Sequence, residues 1–289
     1  MIDFISLVNG KFKKEICVLD RGLAYGDGVF ETMIWHKFDS KPGYGVEFWD
    51  MHLERMMNSC DNLRINKPSN QIINLYRSKV ILKAIKSGMN RGILKILITR
   101  GSGGRGYKFD NTLKPNIIFL IFPIVDNLGI KVTKGVNLKI CQKKLSKNFF
   151  LAGMKHLNRI DSVMLRNEWS GNNFFDGIIT DENDNVIEGS MSNIFMIYDK
   201  NLVTPKIDSY GINGIIRQVI LKKFNNYFKN VKETKFKLDF LMKADGIFIC
   251  NSLIKILPVK KVGDKKFVIP EIIMQLKEIL EDKGNLEIG

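Results

Sequence analysis

The chain has 289 residues, of which 45% are hydrophobic and 26% are charged. This composition is that of a globular protein, and it excludes intrinsic disorder, collagen-like repeats and disulfide-rich miniproteins. Lys and Arg outnumber Asp and Glu by 45 to 30, a net charge of +15, which is compatible with nucleic acids, anionic membranes or acidic small molecules as partners. Because the basic residues are spread through nearly every segment, a solvated surface is the simpler interpretation.

The four cysteines and three histidines form no recognisable metal or disulfide pattern. The cysteines lie far apart without a CxxC pair, so we expect neither a metal site nor a disulfide framework, and a reducing cytoplasm fits best. The N-terminus lacks the features of a signal peptide, and no apolar run reaches the roughly 18–20 residues that a membrane helix needs. We therefore expect a soluble, unprocessed cytoplasmic protein without a membrane partner.

The first half of the chain predicts a small α+β domain. Two apolar runs separated by Asn9-Gly10 predict a hairpin, because both turn positions tolerate a positive φ. Apolar residues at helical spacing predict two helices, the second of which ends at Gly88. The strands predicted in this half are 2–8, 11–18, 29–35, 46–49, 93–98 and 117–122, and the helices are 53–63 and 70–87.

A polar, turn-forming stretch at 126–129 predicts a boundary between an N-terminal domain, 1–125, and a C-terminal domain, 130–289. Both halves mix helices and strands without a strict βαβ alternation, which indicates an α+β or α/β fold. The elements predicted in the second half are a strand at 130–140, a helix at 156–169, a β-meander over 174–204, a helix at about 214–229, a strand at 246–250, a hairpin at 256–269 and a helix at 271–283.

Two charged residues lie at positions where the predicted structure would make a charge reactive or energetically unfavourable. Lys155 directly precedes the predicted helix 156–169, where burial and the helix dipole would lower its pKa and favour a neutral amine. Glu188 interrupts an apolar strand, which is unfavourable unless a cationic group pairs with it. Taken alone, a solvated surface lysine and an ordinary ion pair with an arginine are the simpler explanations of these positions.

Three further segments could bind anions. Gly211–Arg217 begins a predicted helix whose first N–H groups could hold a phosphate, and Ser252 and Arg55 could add contacts to it. Plain helix capping and surface exposure are the simpler alternatives. The glycine-rich loop Arg100–Tyr107 carries two guanidinium groups suited to carboxylates. It also resembles an RNA-binding RGG segment, but it occurs once and between two predicted strands, which favours a structured substrate loop.

The order of these motifs resembles the class IV aminotransferases, the pyridoxal-phosphate enzymes that include branched-chain and D-amino-acid aminotransferases and aminodeoxychorismate lyases. Segments 99–107, 151–159, 211–218, 249–252 and 257–259 are most similar to the lyase branch, whereas Phe30-Glu31-Thr32 fits the transaminases equally. The matching motifs are Asp20–Thr32, His52–Arg55, Lys155–Arg159, Glu188–Asn193, Gly211–Arg217 and Asn251–Leu253.

The resemblance implies the two-domain fold of D-amino-acid aminotransferase, with the active site in the inter-domain cleft, and usually a homodimer. It implies that Lys155 binds pyridoxal 5'-phosphate covalently and that Glu188 pairs with the pyridine nitrogen. The other implied cofactor contacts are Arg55, Ser192, Asn193, Ile212, Gly214, Ile215, Ile216 and Ser252. Our candidates for substrate contacts are Phe30, Arg100, Arg105 and Tyr107.

The implied reaction of the lyase branch converts 4-amino-4-deoxychorismate to 4-aminobenzoate and pyruvate, a step in folate biosynthesis. A D-amino-acid or branched-chain aminotransferase would use the same cofactor residues but needs a keto acid as amino acceptor. A basic nucleic-acid-binding protein is a remoter alternative, and it predicts a colourless protein whose RNA or DNA binding is sensitive to salt.

Overall fold

The computed structural model describes residues 4–39, 42–124 and 134–281. These residues form two compact units. The first unit contains the described residues up to 124 together with the segment Met154–Arg159, and the second contains the remaining described residues from 134 onward. The predicted linker 126–129 lies outside the described residues.

The first unit is built on five strands and three helices. The strands are β1 (Ile5–Val8), β2 (Gly28–Lys37), β3 (Tyr44–Val46), β4 (Arg91–Thr99) and β5 (Asn116–Phe122). The helices are α1 (Arg21–Tyr25), α2 (Trp49–Asn62) and α3 (Asn70–Lys86). The strands form one antiparallel sheet in the order β1-β5-β4-β2-β3.

Side chains alternate between the two faces of this sheet, as the period of two in a strand requires. On β4, Leu94, Ile96 and Ile98 are buried in a core shared with α2 and α3. Lys95 and Leu97 on the same strand are only half-buried. The sheet therefore has one face covered by helices and one face that is partly open.

Two local predictions for this unit were wrong. The Asn9-Gly10 turn is confirmed by positive φ angles of 50° and 77°, but of the predicted strand 11–18 only Lys11 pairs with Val8. The residues that follow the turn are mostly exposed and bury no apolar face. The predicted strand 46–49 is cut short, because Phe48 adopts a left-handed conformation and α2 begins at Trp49.

The second unit contains a nine-stranded mixed sheet in the order β11-β10-β9-β12-β13-β6-β7-β8, with β14 paired to β13. The pairs β10–β11, β6–β13 and β6–β7 are parallel. The strands are β6 (Val136–Ile140), β7 (Asp176–Thr180), β8 (Val186–Gly189), β9 (Asn193–Tyr198), β10 (Asn201–Pro205), β11 (Asn230–Thr234), β12 (Gly246–Asn251), β13 (Lys255–Val262) and β14 (Lys265–Lys266). The helices are α4 (Ile160–Arg166), α5 (Ile215–Lys223), α6 (Leu238–Leu241) and α7 (Glu271–Glu281).

Some element lengths in this unit differ from the predictions. The predicted helix at 156–169 is shorter, since α4 begins at Ile160. The predicted helix at 214–229 ends at Lys223, and the unpredicted edge strand β11 follows it. The predicted meander is two hairpins, β7–β8 and β9–β10, rather than one continuous ladder. No helix in the described ranges is long and apolar enough to cross a membrane.

Candidate active site

Lys155 lies in an extended segment that pairs with the start of β2. Its carbonyl accepts a hydrogen bond of 2.9 Å from Phe30 N, and Leu157 N donates to the carbonyl of Gly28 at 2.9 Å. The Nζ atom of Lys155 lies 4.4 Å from the centre of the Phe30 ring. Because α4 begins five residues later, our helix-dipole argument for Lys155 was wrong; that field fades within the first turn. The structure does bring the predicted residues Lys155 and Phe30 together.

Sequence reasoning missed a second lysine on the same face. Lys95, on β4, places its Nζ atom 5.0 Å from the Phe30 ring centre. Partial burial lowers the pKa of Lys95. A lysine in the middle of an apolar strand is a sequence signal that could have identified it. Two amines thus lie beside one aromatic ring on the half-open face of the sheet.

On the covered face of β2, Glu31 binds both Arg55 and His52. The Arg55 Nε and Nη2 atoms donate to the two carboxylate oxygens of Glu31 at 2.7 and 2.6 Å, and His52 Nδ1 lies 2.6 Å from Oε2. Burial alone would raise the pKa of Glu31, but Arg55 and His52 hold it at about 2. Arg55, in the second turn of α2, is therefore held in one orientation.

His156 follows Lys155 and is buried as a neutral imidazole. The Arg159 guanidinium donates to Nε2 of His156 through Nη2 and to its carbonyl through Nε at 3.1 Å. A guanidinium can only donate, so the ring proton is assigned to Nδ1, which has no hydrogen-bond partner among the described residues. Burial, and then the charge of Arg159, lower the pKa of His156 to about 3.

This histidine should make the stability of the protein depend on pH. Its pKa in the folded state lies below the usual value of about 6.5, so the unfolded chain binds more protons between these values, and stability falls as pH falls from about 6.5 towards 3. Urea unfolding midpoints at pH 7, 6, 5 and 4 should decline less steeply in His156→Gln, whose amide oxygen still accepts from Arg159. Parallel pH profiles for the two proteins would contradict the neutral buried imidazole.

In the second unit, Glu188 is the third residue of strand β8 and is 8% exposed. Its Oε2 atom accepts a hydrogen bond of 2.9 Å from Ile212 N and one of 3.4 Å from Asn193 Nδ2. Asn193 also donates to the Ile212 carbonyl at 2.9 Å. Three of the predicted cofactor residues, Glu188, Asn193 and Ile212, are therefore joined in one hydrogen-bonded group.

Sequence reasoning also missed Asp176, which organises the turn between β8 and β9. Asp176 is fully buried; its Oδ1 accepts from Ser190 N and Oγ, and its Oδ2 accepts from Ser192 Oγ at 2.6 Å. Burial raises the pKa of Asp176, while these hydrogen bonds lower it. The Ser192 hydroxyl, predicted at the cofactor edge, thus has Asp176 as its partner. An aspartate at the start of an apolar strand was the available signal.

Helix α5 begins at Ile215 with Gly214 as its N-cap, and no side chain among the described residues caps it. A Cβ atom on Gly214 would lie 2.1 Å from Asn193 Oδ1, so any other residue there would displace the Asn193 side chain from its hydrogen bonds. The N–H groups of the first turn, including Ile215 and Ile216, have no partner within a helix. This turn can therefore bind an anion.

Ser252 lies in the turn between β12 and β13, and the structure places it in the same unit as α5. The Asn251 side chain shapes this turn, because its Oδ1 accepts from Leu253 N at 2.9 Å and from Ile254 N at 3.0 Å. The Ser252 carbonyl accepts from the Lys255 ammonium at 2.7 Å. The side chain of a neighbouring residue thus fixes the position of Ser252.

The two arginines of the glycine-rich loop have different surroundings. Arg100 is 5% exposed; it binds both carboxylate oxygens of Asp27, at 2.7 and 2.9 Å, and the carbonyls of Leu63 and Arg64. These bonds occupy four of its five N–H donors, so the geometry does not support the predicted substrate contact of Arg100. Arg105 and Tyr107, in contrast, are exposed and remain candidates.

Replacing each arginine by methionine distinguishes the structural role of Arg100 from the exposed position of Arg105. Arg100→Met should lower the free energy of unfolding by at least about 2 kcal/mol, because it takes a buried donor from the carbonyls of Leu63 and Arg64 and one partner from Asp27. Arg105→Met, at an exposed position, should change it by less than about 0.5 kcal/mol. Urea denaturation of both variants provides the comparison, and equal small losses would refute the structural role of Arg100.

The geometry can be compared with known proteins. The family whose sequence model matches this chain, over residues 28–262, is described as amino-transferase class IV. The chain belongs to this family. The motif resemblance and the predicted fold class are therefore confirmed.

Among class IV relatives, an aminodeoxychorismate lyase of Vibrio harveyi is 31% identical over 96% of this chain and 98% of its own length. A putative branched-chain-amino-acid aminotransferase of Methanocaldococcus jannaschii is 27% identical, over 95% of this chain and 94% of its own. The crystal structure of 4-amino-4-deoxychorismate lyase from Pseudomonas aeruginosa is similar with a TM-score of 0.85 and 31% identity, covering 97% of this chain and 100% of that one.

Proposed function

We propose that this class IV protein is a pyridoxal-phosphate-dependent aminodeoxychorismate lyase. The observation that carries the proposal is the 31% identity to a lyase over 96% of the chain, against 27% for the branched-chain aminotransferase relative. The structure of a lyase that is 31% identical, with 97% of this chain covered, supports the same assignment. The proposed substrate is 4-amino-4-deoxychorismate, and the products are 4-aminobenzoate and pyruvate.

The described residues fit the cofactor. Pyridoxal phosphate carries a phosphate dianion, an aldehyde and a pyridine nitrogen. The uncapped first turn of α5 suits the phosphate, with Arg55 and Ser252 as further ligands. A lysine is the residue that binds the aldehyde, and Lys155 is the proposed one. Glu188, a buried carboxylate held by Ile212 N, suits a protonated pyridine nitrogen, with Ser192, Asn193 and Ile212 beside the ring.

Bound pyridoxal phosphate withdraws electrons from the carbon that carries the substrate amine. Glu188 would keep the pyridine nitrogen protonated, which maintains that withdrawal. The amine of Lys155 would hold the cofactor between turnovers and would act as the base that removes the proton from the amine-bearing ring carbon. The bond from the ring to the enolpyruvyl oxygen would then break, the departing enolpyruvate would take up one proton at its methylene carbon to become pyruvate, and the ring would become aromatic. The atoms balance without water or an oxidant.

The substrate carries two carboxylates, and the first unit offers cations for them. Arg105 is exposed on the glycine-rich loop, and the Lys95 ammonium lies beside the Phe30 ring. Partial desolvation strengthens the attraction between an ammonium and a carboxylate. We assign Arg105 and Lys95 to the carboxylates, with Phe30 and Tyr107 as neighbouring ring contacts.

A product assay tests the lyase assignment. Purified protein loaded with pyridoxal phosphate and given 4-amino-4-deoxychorismate should release 4-aminobenzoate and pyruvate in equal amounts without any keto acid. Protein stripped of cofactor with hydroxylamine and then reloaded serves as the control, and reloading should restore the rate. Product that forms only after a keto acid is added would refute the lyase assignment and support an aminotransferase. The 27% identical branched-chain aminotransferase relative makes that the second candidate.

We also propose a cytoplasmic homodimer. The four cysteines are free, which suits a reducing compartment. Ile160, Val163 and Met164 on α4 are 64%, 52% and 47% exposed, and an exposed apolar stripe of this kind suits burial against a second copy. Sedimentation equilibrium should give twice the mass of the chain, and a monomer at micromolar concentration would contradict the proposal.

A further inference from the structure

Arg21 binds both ends of segment 101–107 of the glycine-rich loop. The Nη1 atom of Arg21 donates to the Gly106 carbonyl at 2.9 Å, and Nη2 donates to the Tyr107 carbonyl at 3.1 Å. The backbone N–H of Arg21 donates to the Gly101 carbonyl at 3.0 Å. Arg21 is 3% exposed, so this guanidinium belongs to the interior of the unit and not to its surface.

Two neighbouring side chains support this arrangement. Asp27 accepts a hydrogen bond of 3.0 Å from Arg21 Nε and also binds Arg100, the first residue of the glycine-rich loop. The Tyr25 hydroxyl accepts a hydrogen bond of 3.1 Å from Gly106 N, and the Arg21 guanidinium lies 4.7 Å from the Tyr25 ring centre. Both polar groups of Gly106, the residue after Arg105, are thus held by side chains of α1.

The loop has few contacts of its own that could order it. Gly104 and Gly106 have no atom within 4 Å of the position of a Cβ, and Gly106 has a φ of +82°. Tyr107 is 85% exposed. Glycine backbone without packed side chains is entropically costly to hold in one conformation. Gly103 N also donates to the Leu19 carbonyl at 3.3 Å, and Ser102 pairs with Asp20. The part of the loop whose order depends on the hydrogen bonds with Arg21 and Tyr25 is therefore 104–107.

We propose that Arg21 is a positioning residue which, with Tyr25, fixes the backbone around Arg105 so that the Arg105 guanidinium is held ready for a carboxylate of the substrate. The substrate part of this inference rests on the proposed lyase function. Arg21 acts on the carbonyls of Gly106 and Tyr107, and Arg105 makes the contact with the anion. Only an arginine can serve this purpose, because its planar fork binds two carbonyls and Asp27 at once, whereas an ammonium cannot span them.

The first experiment measures the loop directly in the cofactor-loaded protein without substrate. Hydrogen exchange of the amides in residues 101–108 should be at least about fivefold faster in Arg21→Lys than in wild type, because the carbonyl contacts are lost. Tyr25→Phe, which removes only the acceptor for Gly106 N, should accelerate exchange in the same segment and provides a second variant if Arg21→Lys does not fold. The matched control is Arg77→Lys on α3, where the guanidinium lies over Trp49. Unchanged exchange at 101–108 in both loop variants would overturn the positioning role, whatever the reaction is.

The second experiment measures kinetics with 4-amino-4-deoxychorismate. Arg21→Lys and Arg105→Gln should each raise KM at least about tenfold and leave kcat within about twofold. A tenfold change corresponds to the lower end of the free energy that a charge-assisted hydrogen bond contributes. If Arg21 acts through Arg105, the double variant should have the KM of Arg105→Gln alone. If the fold-increase in KM of the double variant equals the product of the fold-increases of the two single variants, the coupling is refuted. Absence of turnover in wild type would instead refute the proposed function, and the exchange experiment would still decide the role of Arg21.

Discussion

Replacing Lys155 by alanine is expected to abolish the formation of 4-aminobenzoate, lowering kcat by roughly four orders of magnitude or more. This residue is assigned both the covalent bond to the cofactor and the proton transfer, so the change removes two functions at once. The rate is measured by following 4-aminobenzoate release from 4-amino-4-deoxychorismate with protein supplied with excess pyridoxal phosphate.

Lys143→Ala is the matched control, because Lys143 is an exposed lysine outside every segment assigned to the site, and this variant should keep the wild-type rate. The backbone of Lys155 is held by Phe30 N, so truncating its side chain should leave the pairing with β2 intact. A Lys155→Ala protein that folds and turns over at a rate near wild type would contradict the assignment.

Changing Glu188 to glutamine should lower kcat by about two to three orders of magnitude, comparable to the loss of one preorganised electrostatic group in other enzymes. Glutamine keeps the size of the side chain and can still accept from Ile212 N, but it carries no negative charge to keep the pyridine nitrogen protonated. Glu188→Ala should lower kcat at least as much. The measurement is the same product assay under saturating cofactor.

The control for Glu188 is Glu182→Gln, which removes a half-exposed acid that pairs with Lys147 and should leave kcat unchanged. Circular dichroism and cofactor binding by Glu188→Gln should remain close to wild type, because the hydrogen bond from Ile212 is preserved. A kcat within twofold of wild type would show that this carboxylate does not support the reaction.

Elements with local signals in the chain were predicted well. Helix α3 runs from Asn70 to Lys86, with Ser69 as its N-cap and Gly88 just beyond its end at a φ of +90°, and the sequence predicted it at 70–87. Helix α2 was predicted to begin too late, because its N-cap, Phe48, uses no side-chain hydrogen bond and leaves no local signal. The edge strand β11 was missed since its residues are mostly exposed and show no apolar alternation.

The candidate site was predictable where a charge stands in an apolar context. Glu188 was singled out in that way, and the same reasoning applied to Glu31 and Asp176 would have found two more buried acids. Lys155 was singled out by its position before a predicted helix that in fact begins at Ile160, and its assigned role rests on the family resemblance. The role of Arg100 was not predictable, because its partner Asp27 lies 73 positions away in the chain and only the fold brings the two together. The neutral state of His156 depends equally on burial that no local pattern reveals.

The most direct test of the account is to locate the cofactor bond. Borohydride treatment of protein loaded with pyridoxal phosphate, followed by proteolysis and mass spectrometry, should show the added mass of the reduced cofactor on the peptide containing Lys155 and on no other lysine peptide. Recovery of that peptide unmodified, with the cofactor attached elsewhere or not retained, would contradict the central claim that Lys155 carries it.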